Sequence, residues 1–156
     1  MSKIDIETVM DDVQGYFESN IQTIIDAINT EKGDSLVPDF IPDSYFLYHG
    51  ADLSATPPYG IFHIQYLEPQ ADIEENQIVN SLRYNIVLTT FISNTLNDNN
   101  DYRIGLRYSR VLYEIYKKLS EKLTQTELMG QEIAIIPDSE TNFTCVTLTF
   151  KVAVTY

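Results

Sequence analysis

Few residues of this chain are of types that do chemistry, and their spacing decides what each could do. His49 sits in FLYHG and His63 in IFHIQ. Neither belongs to an HExxH or CxxC pattern or stands at a close His–carboxylate spacing, so both read as residues on or beside strands rather than metal ligands. Cys145 is the single cysteine; it excludes an intramolecular disulfide, suits a reducing compartment and, with no partner motif, reads as a small packing residue. The oxygen-rich NDNND at 97–101 invites calcium. Counting from Asp98, however, Tyr102 takes the fifth position and Arg103 the sixth, where a glycine belongs. A loop leading to a helix cap at Asp101 is the plainer reading. PPY at 57–59 reads as a stiff turn. No GxSxG and no glycine-rich phosphate loop occurs. The expectation is a protein with no catalytic, cofactor-binding or metal-binding residues, and not an enzyme.

The densest cluster of functional side chains is DYRIGLRYSRVLYEIYKKLSEKL at 101–123, with three arginines, three lysines and four tyrosines. On a helical wheel Ile104, Tyr108, Val111, Leu112, Ile115, Leu119 and Leu123 form one stripe, while Arg103, Arg107, Arg110, Lys117 and Lys118 lie around the other side. Glu114 stands four residues from Arg110 and from Lys118, and Glu121 four from Lys117, a spacing that supports a solvated helix by a few tenths of a kcal/mol per pair. Three uses of the basic side are open: a solvated face, an intersubunit contact, or nucleic-acid binding. The overall charge of -13 and pI of about 4.3 weigh against the last. For the intersubunit reading, Arg103, Arg107, Arg110 and Lys117 are the interface candidates, and their partner is an acidic face of a neighbouring copy. A contact of that kind loosens with salt.

These residues must be held by a scaffold. Apolar residues at Ile6, Val9, Met10, Val13, Phe17, Ile21, Ile24, Ile25 and Ile28 predict an amphipathic helix over 5–31, capped by Ser2 or Asp5 and stopped at Lys32–Gly33. The proline-rich stretch 33–60 reads as loop, with SYFLYH as a short strand. GIFHIQYL at 60–67 reads as a strand stopped by Pro69, and 70–80 as an acidic connection with at most one helical turn. SLRYNIVLTTFIS at 81–93 reads as a central strand, and QEIAIIPDSETNFTCVTLTFKVAVTY as a hairpin. In its last strand Val146, Leu148, Phe150, Val152, Val154 and Tyr156 alternate with the set from Cys145 to Thr155, so one face is buried and the other is wet or lies against a partner.

The sum is one α+β domain over 1–156: a mainly antiparallel sheet flanked by a long N-terminal helix and a second amphipathic helix, closing with a C-terminal β-hairpin. With 156 residues, 44% of them apolar, the chain can build one buried core. No run of about 18 apolar residues predicts a membrane span, and no signal-like segment opens the chain. Residues 1–80 hold 15 acids against Lys3 and Lys32, whereas 81–156 hold eight of each sign. All the net charge therefore sits in the first half, where it repels phosphate.

Taken in order, the acidic N-terminal helix, the proline-rich connection, SLRYNIVLTTFIS, NTLNDNND, YRIGLRYSRVLYEIYKKL and EIAIIPDSETNFTCVTLTFKVAVTY resemble the tail terminator, or tail completion, proteins of long-tailed bacteriophages. The resemblance spans nearly the whole chain and rests on hydrophobic pattern. It implies a homo-oligomeric ring, usually of six copies, that caps the head-proximal end of the tail tube, stops its growth and meets the neck or head-completion proteins. The implied partners are the tail tube protein, the neck proteins and, in a contractile tail, the sheath. DNA passes through the lumen without sequence-specific binding, and no membrane is involved. The implied location is the virion, with the host cytoplasm as the place of assembly. The segments 33–60 and 68–80 are the docking candidates. Alternatives are a head-closure or other head–tail connector, a component of a contractile injection system, or a small acidic enzyme or ligand-binding domain built around His49, His63 and Glu68.

Overall fold

Apolar residues three and four apart draw the first helix onto the sheet. In a computed structural model, which describes residues 5–42, 44–47, 58–66, 70–74, 77–93, 103–123, 126–137 and 142–155, helix α1 runs Ile6–Lys32 and buries Val9, Met10, Val13, Phe17, Ile21, Ile25 and Ile28. Asp5 caps it: its carboxylate accepts from the Thr8 amide at 2.9 Å. At the far end Gly33 adopts φ 69°, and the Gly33 and Asp34 amides close back on Thr30 and Asn29 carbonyls. The second helix, α2 (Arg103–Lys122), buries Ile104, Tyr108, Val111, Leu112, Ile115, Tyr116 and Leu119, the stripe read from the wheel plus Tyr116 and without Leu123, which follows the helix and is half-buried against the core.

The strands are β1 (Tyr45–Leu47), β2 (Tyr59–Tyr66), β3 (Gln70–Glu74), β4 (Gln77–Ser93), β5 (Glu127–Pro137) and β6 (Asn142–Thr155). Their order is β1-β2-β4-β6-β5, with β3 also on β4. Every pair is antiparallel except β1–β2. The fold is thus the expected α+β architecture, and β5 and β6 form the closing hairpin, from Glu127 opposite Lys151 to Pro137 opposite Asn142.

The expectation fails at 70–80. That segment is β3 and the start of β4, antiparallel from Gln70 opposite Ser81 to Glu74 opposite Gln77. Its acidic composition disguises a ribbon in which Ile73 and Ile78 stand opposite each other. Among the described residues β6 pairs with β4 as far as Thr155 opposite Ser81, and residues 77–80 pair with β3, so the described hairpin extends past the β4–β6 ladder.

Both helices pack on one face. Phe62, Ile86, Leu88, Ile92, Val146, Leu148, Phe150, Val152 and Val154, at even positions of β2, β4 and β6, join the two helix stripes in a single core. An aromatic group seats α1 over β1 and β2: Phe17 lies 4.4 Å from Tyr45 and 4.8 Å from Phe62 between ring centroids, and Phe40 6.4 Å from Phe17. Tyr116 against Phe150 at 5.4 Å does the same for α2 over β6. The stretch after α1 is strapped down as well. Asn29 donates to the Val37 carbonyl and accepts from its amide, while Gln22 accepts from the Phe40 amide at 2.8 Å. The first part of the proline-rich connection is therefore bound to α1 and is not a loose loop.

Candidate functional site

Chemistry-bearing residues are dispersed by this fold. His63 stands on β2 opposite Val87, on the sheet face away from the helices, half-buried, and burial pushes its imidazole below the ordinary value. His49, Glu68, Asp101 and the loop 97–101 lie outside the described residues. Cys145 shares the face of His63 from β6. Burial raises its thiol pKa above the ordinary value, and its sulfur lies 3.8 Å from Thr147 Oγ1. Among the described residues no three His, Cys, Asp or Glu side chains gather as a metal-ligand set. A groove of about 560 Å³ between α1 and α2 is lined by Asp11, Asp12, Tyr16, Asn20 and Lys122 among others. Lys122 closes over the Tyr16 ring at 4.7 Å.

The basic residues that sequence offered for a subunit contact have work within the chain. α2 lies antiparallel to α1, so its N-terminal half meets the C-terminal end of α1. Arg107 there makes a two-pronged pair with Asp34, both bonds at 3.0 Å, and Arg110 pairs with Glu31. The Arg107 bond holds the Asp34 carboxyl below its ordinary range, and the Arg110 bond does the same for Glu31. Lys117 pairs with Glu114 at 3.2 Å and lies over the Tyr113 ring. Arg103 is exposed at the start of α2 and also lowers Asp34 through its charge. Sequence spacing had given Glu114 to Arg110 and Lys118. The helix crossing, invisible in the spacing, redirects Arg110 to Glu31.

What the fold does assemble is a sheet face. None of the described helices lies on it. The positions it presents are Tyr59, Ile61, His63 and Gln65 of β2, Arg83, Asn85, Val87, Thr89 and Phe91 of β4, and Cys145, Thr147, Thr149, Lys151 and Ala153 of β6. Glu127 of β5 stands opposite Lys151 and Glu132 opposite Thr147, so on this face the two acids balance Arg83 and Lys151 in number. In a chain of net charge -13 this face is close to neutral. Tyr59 and Phe91 stack at 5.0 Å, Thr89 and Val87 are 7% exposed, and Asn85 Oδ1 is buried with no hydrogen-bond partner. The alternation in the last strand marked such a face. Its composition depends on register across three strands, which the single-strand pattern does not contain.

A scan against models of known protein families finds no match, and a search of curated proteins finds none either. No helix among the described residues is long and apolar enough to cross a membrane.

Proposed function

We propose that the chain is a structural virion protein: the subunit of a ring, six copies being the number the resemblance implies, that caps the head-proximal end of a phage tail tube, ends its growth and meets the neck proteins. The observation that carries this reading is the one-sided build. Helices cover one face of the sheet, and α1 turns Glu7, Asp11, Asp12, Glu18, Asp26 and Glu31 outward. The opposite face is near-neutral and broad, suited to lying against protein, and the 70–81 hairpin reaches beyond the β4–β6 ladder. The order of elements along the chain is the one that carries the resemblance.

The action is steric and needs no catalytic residue. Each subunit docks on the last ring of the tube and offers no surface to a next ring. The hairpin, a two-stranded ribbon that gains stability only by packing on something, is the docking element. The acidic exterior disfavours the salt-linked phosphate contacts that would hold DNA in passage. Removing the gene from a phage that encodes this chain tests the reading: overlong or irregular tails, corrected by the purified protein, are expected. Tails of normal length that fail to join heads would assign it to the head–tail connectors instead.

A further inference from the structure

Six large apolar side chains are exposed among the described residues: Ile41, Leu106, Tyr113, Leu128, Met129 and Ile133. Five of them belong to one edge. β5 is the terminal strand of the sheet, 11 residues long, hydrogen-bonded to β6 on one side only, and it supplies Leu128, Met129 and Ile133. Leu106 and Tyr113 come from α2, which runs alongside. A methyl group on Gly105 would stand 2.9 Å from Ile133 Cγ2, and Gln131 donates to the Ser109 carbonyl at 2.8 Å. These two contacts lay the Gly105–Ser109 turn of α2, which carries Leu106, along the Gln131–Ile133 part of β5, and Tyr113 lies one turn further along the helix. The sixth residue, Ile41, lies at the opposite edge, just before β1.

We infer that the β5 edge, with Leu106 and Tyr113 of α2, is an interface for a second copy of this chain, and that it takes that copy's β1–β2 edge. Three observations choose this occupant. β5 is an 11-residue outer strand without lysine or internal proline, and past the register shift at Leu128–Gly130 it runs regularly from Gly130 to Pro137, the kind of edge that natural proteins cover with another strand. Charge disfavours self-pairing: β5 against β5 in registers centred near Glu127–Glu132 would bring these glutamates of both copies together, whereas β1 and β2 carry no acidic residue. Strand direction also fits. In the alternating order β2-β4-β6-β5, β5 runs opposite to β2 and to its parallel neighbour β1. Copies related by rotation about an axis parallel to the strands therefore join β5 to β1–β2 antiparallel. A contact between two different edges is heterologous and propagates from copy to copy, into a ring where the rotation closes. The number of copies rests on the proposed function; the contact does not.

The test uses the full chain with a photo-reactive benzoylphenylalanine at Met129, mixed as light and ¹⁵N-labelled copies, irradiated and mapped by mass spectrometry. In one chain Met129 and β1 are separated by four strand spacings, about 19 Å, so light–heavy adducts report contact between copies. Adducts on residues 41–47 and 61–66 are expected, with a ladder above the dimer. Adducts confined to β5 would overturn the inference in favour of a two-fold pair, and absence of light–heavy adducts would overturn it outright. Leu106→Glu, at a site 51% exposed, is expected to retain the helical spectrum and melting temperature and to weaken association about tenfold or more. Retained association would also contradict the assignment. Adducts together with unaltered tail length would leave the interface standing and remove the capping role.

Discussion

At the scale of single residues, the two arginine pairs make the clearest prediction. The Asp34 and Glu31 carboxyls are held below their ordinary range by hydrogen bonds from Arg107 and Arg110. A carboxyl with a depressed folded value contributes stability above its unfolded value and loses it as pH falls through the folded one. Arg107→Ala is therefore expected to raise the Asp34 value, and Arg110→Ala that of Glu31, in a carboxyl-carbon NMR titration; an unmoved titration would refute the pairing. The Arg110–Glu31 pair is exposed, so Arg110→Ala should change stability little, whereas the Arg107 side chain is only 14% exposed and Arg107→Ala should cost more through lost packing, with neither variant unfolding the protein. His63 has the same sign for a different reason: burial opposes its charge. Stability should decline as pH falls below the ordinary imidazole value, and His63→Gln should flatten that part of the profile. Gly60 is a packing position. A side chain there would run into the Tyr45 ring and stand 2.7 Å from the Thr89 carbonyl oxygen. Tyr45 is itself fully enclosed in the core, so Gly60→Ala is expected to cost about 1–3 kcal/mol in denaturant unfolding.

At the scale of elements, the 70–81 hairpin separates assembly from docking. Replacing Ala71–Asn80 by an Asn-Gly turn removes strand that, among the described residues, pairs only within the hairpin. Fold and oligomer should survive, while control of tube length should be lost; retained control would contradict the docking role. Helices were the most legible elements, because a 3.6-residue period over 20 or more residues leaves few other readings. Observed α1 starts one residue after the expected range and ends one after it, as the Asp5 cap and the Lys32–Gly33 stop require. β4 and β6 were legible from alternation, and β2 from its aromatic and β-branched run. β3 was not. Asp72, Glu74 and the adjoining acids suppress the strand signal, and partner strands rather than local preference decide such segments. The site was less legible still. Arg107 and Arg110 look available in the sequence because their partners lie 73 and 79 positions away. The exposed edge depends on which strand ends the sheet, a property of topology that no local pattern carries.

At the scale of the whole molecule, charge and contact surface have to be reconciled. Each copy carries -13, concentrated in the first half of the sequence. Copies repel unless they meet where acid is absent. Arg107 and Arg110 have acidic partners inside the subunit, Asp34 and Glu31, and the inferred β5 contact would supply an attraction that does not draw on them. The inferred β5 contact and a charge bridge through the arginines therefore have opposite salt dependences. Screening shortens the repulsion, with a Debye length of about 10 Å at 0.1 M and about 3 Å at 1 M, and leaves apolar and strand–strand contact largely intact. The most direct measurement is sedimentation of the purified chain over a range of protein and salt concentrations. The account predicts a closed species near six times the 17.9 kDa subunit whose share grows with salt. A monomer at every concentration and salt level would contradict it.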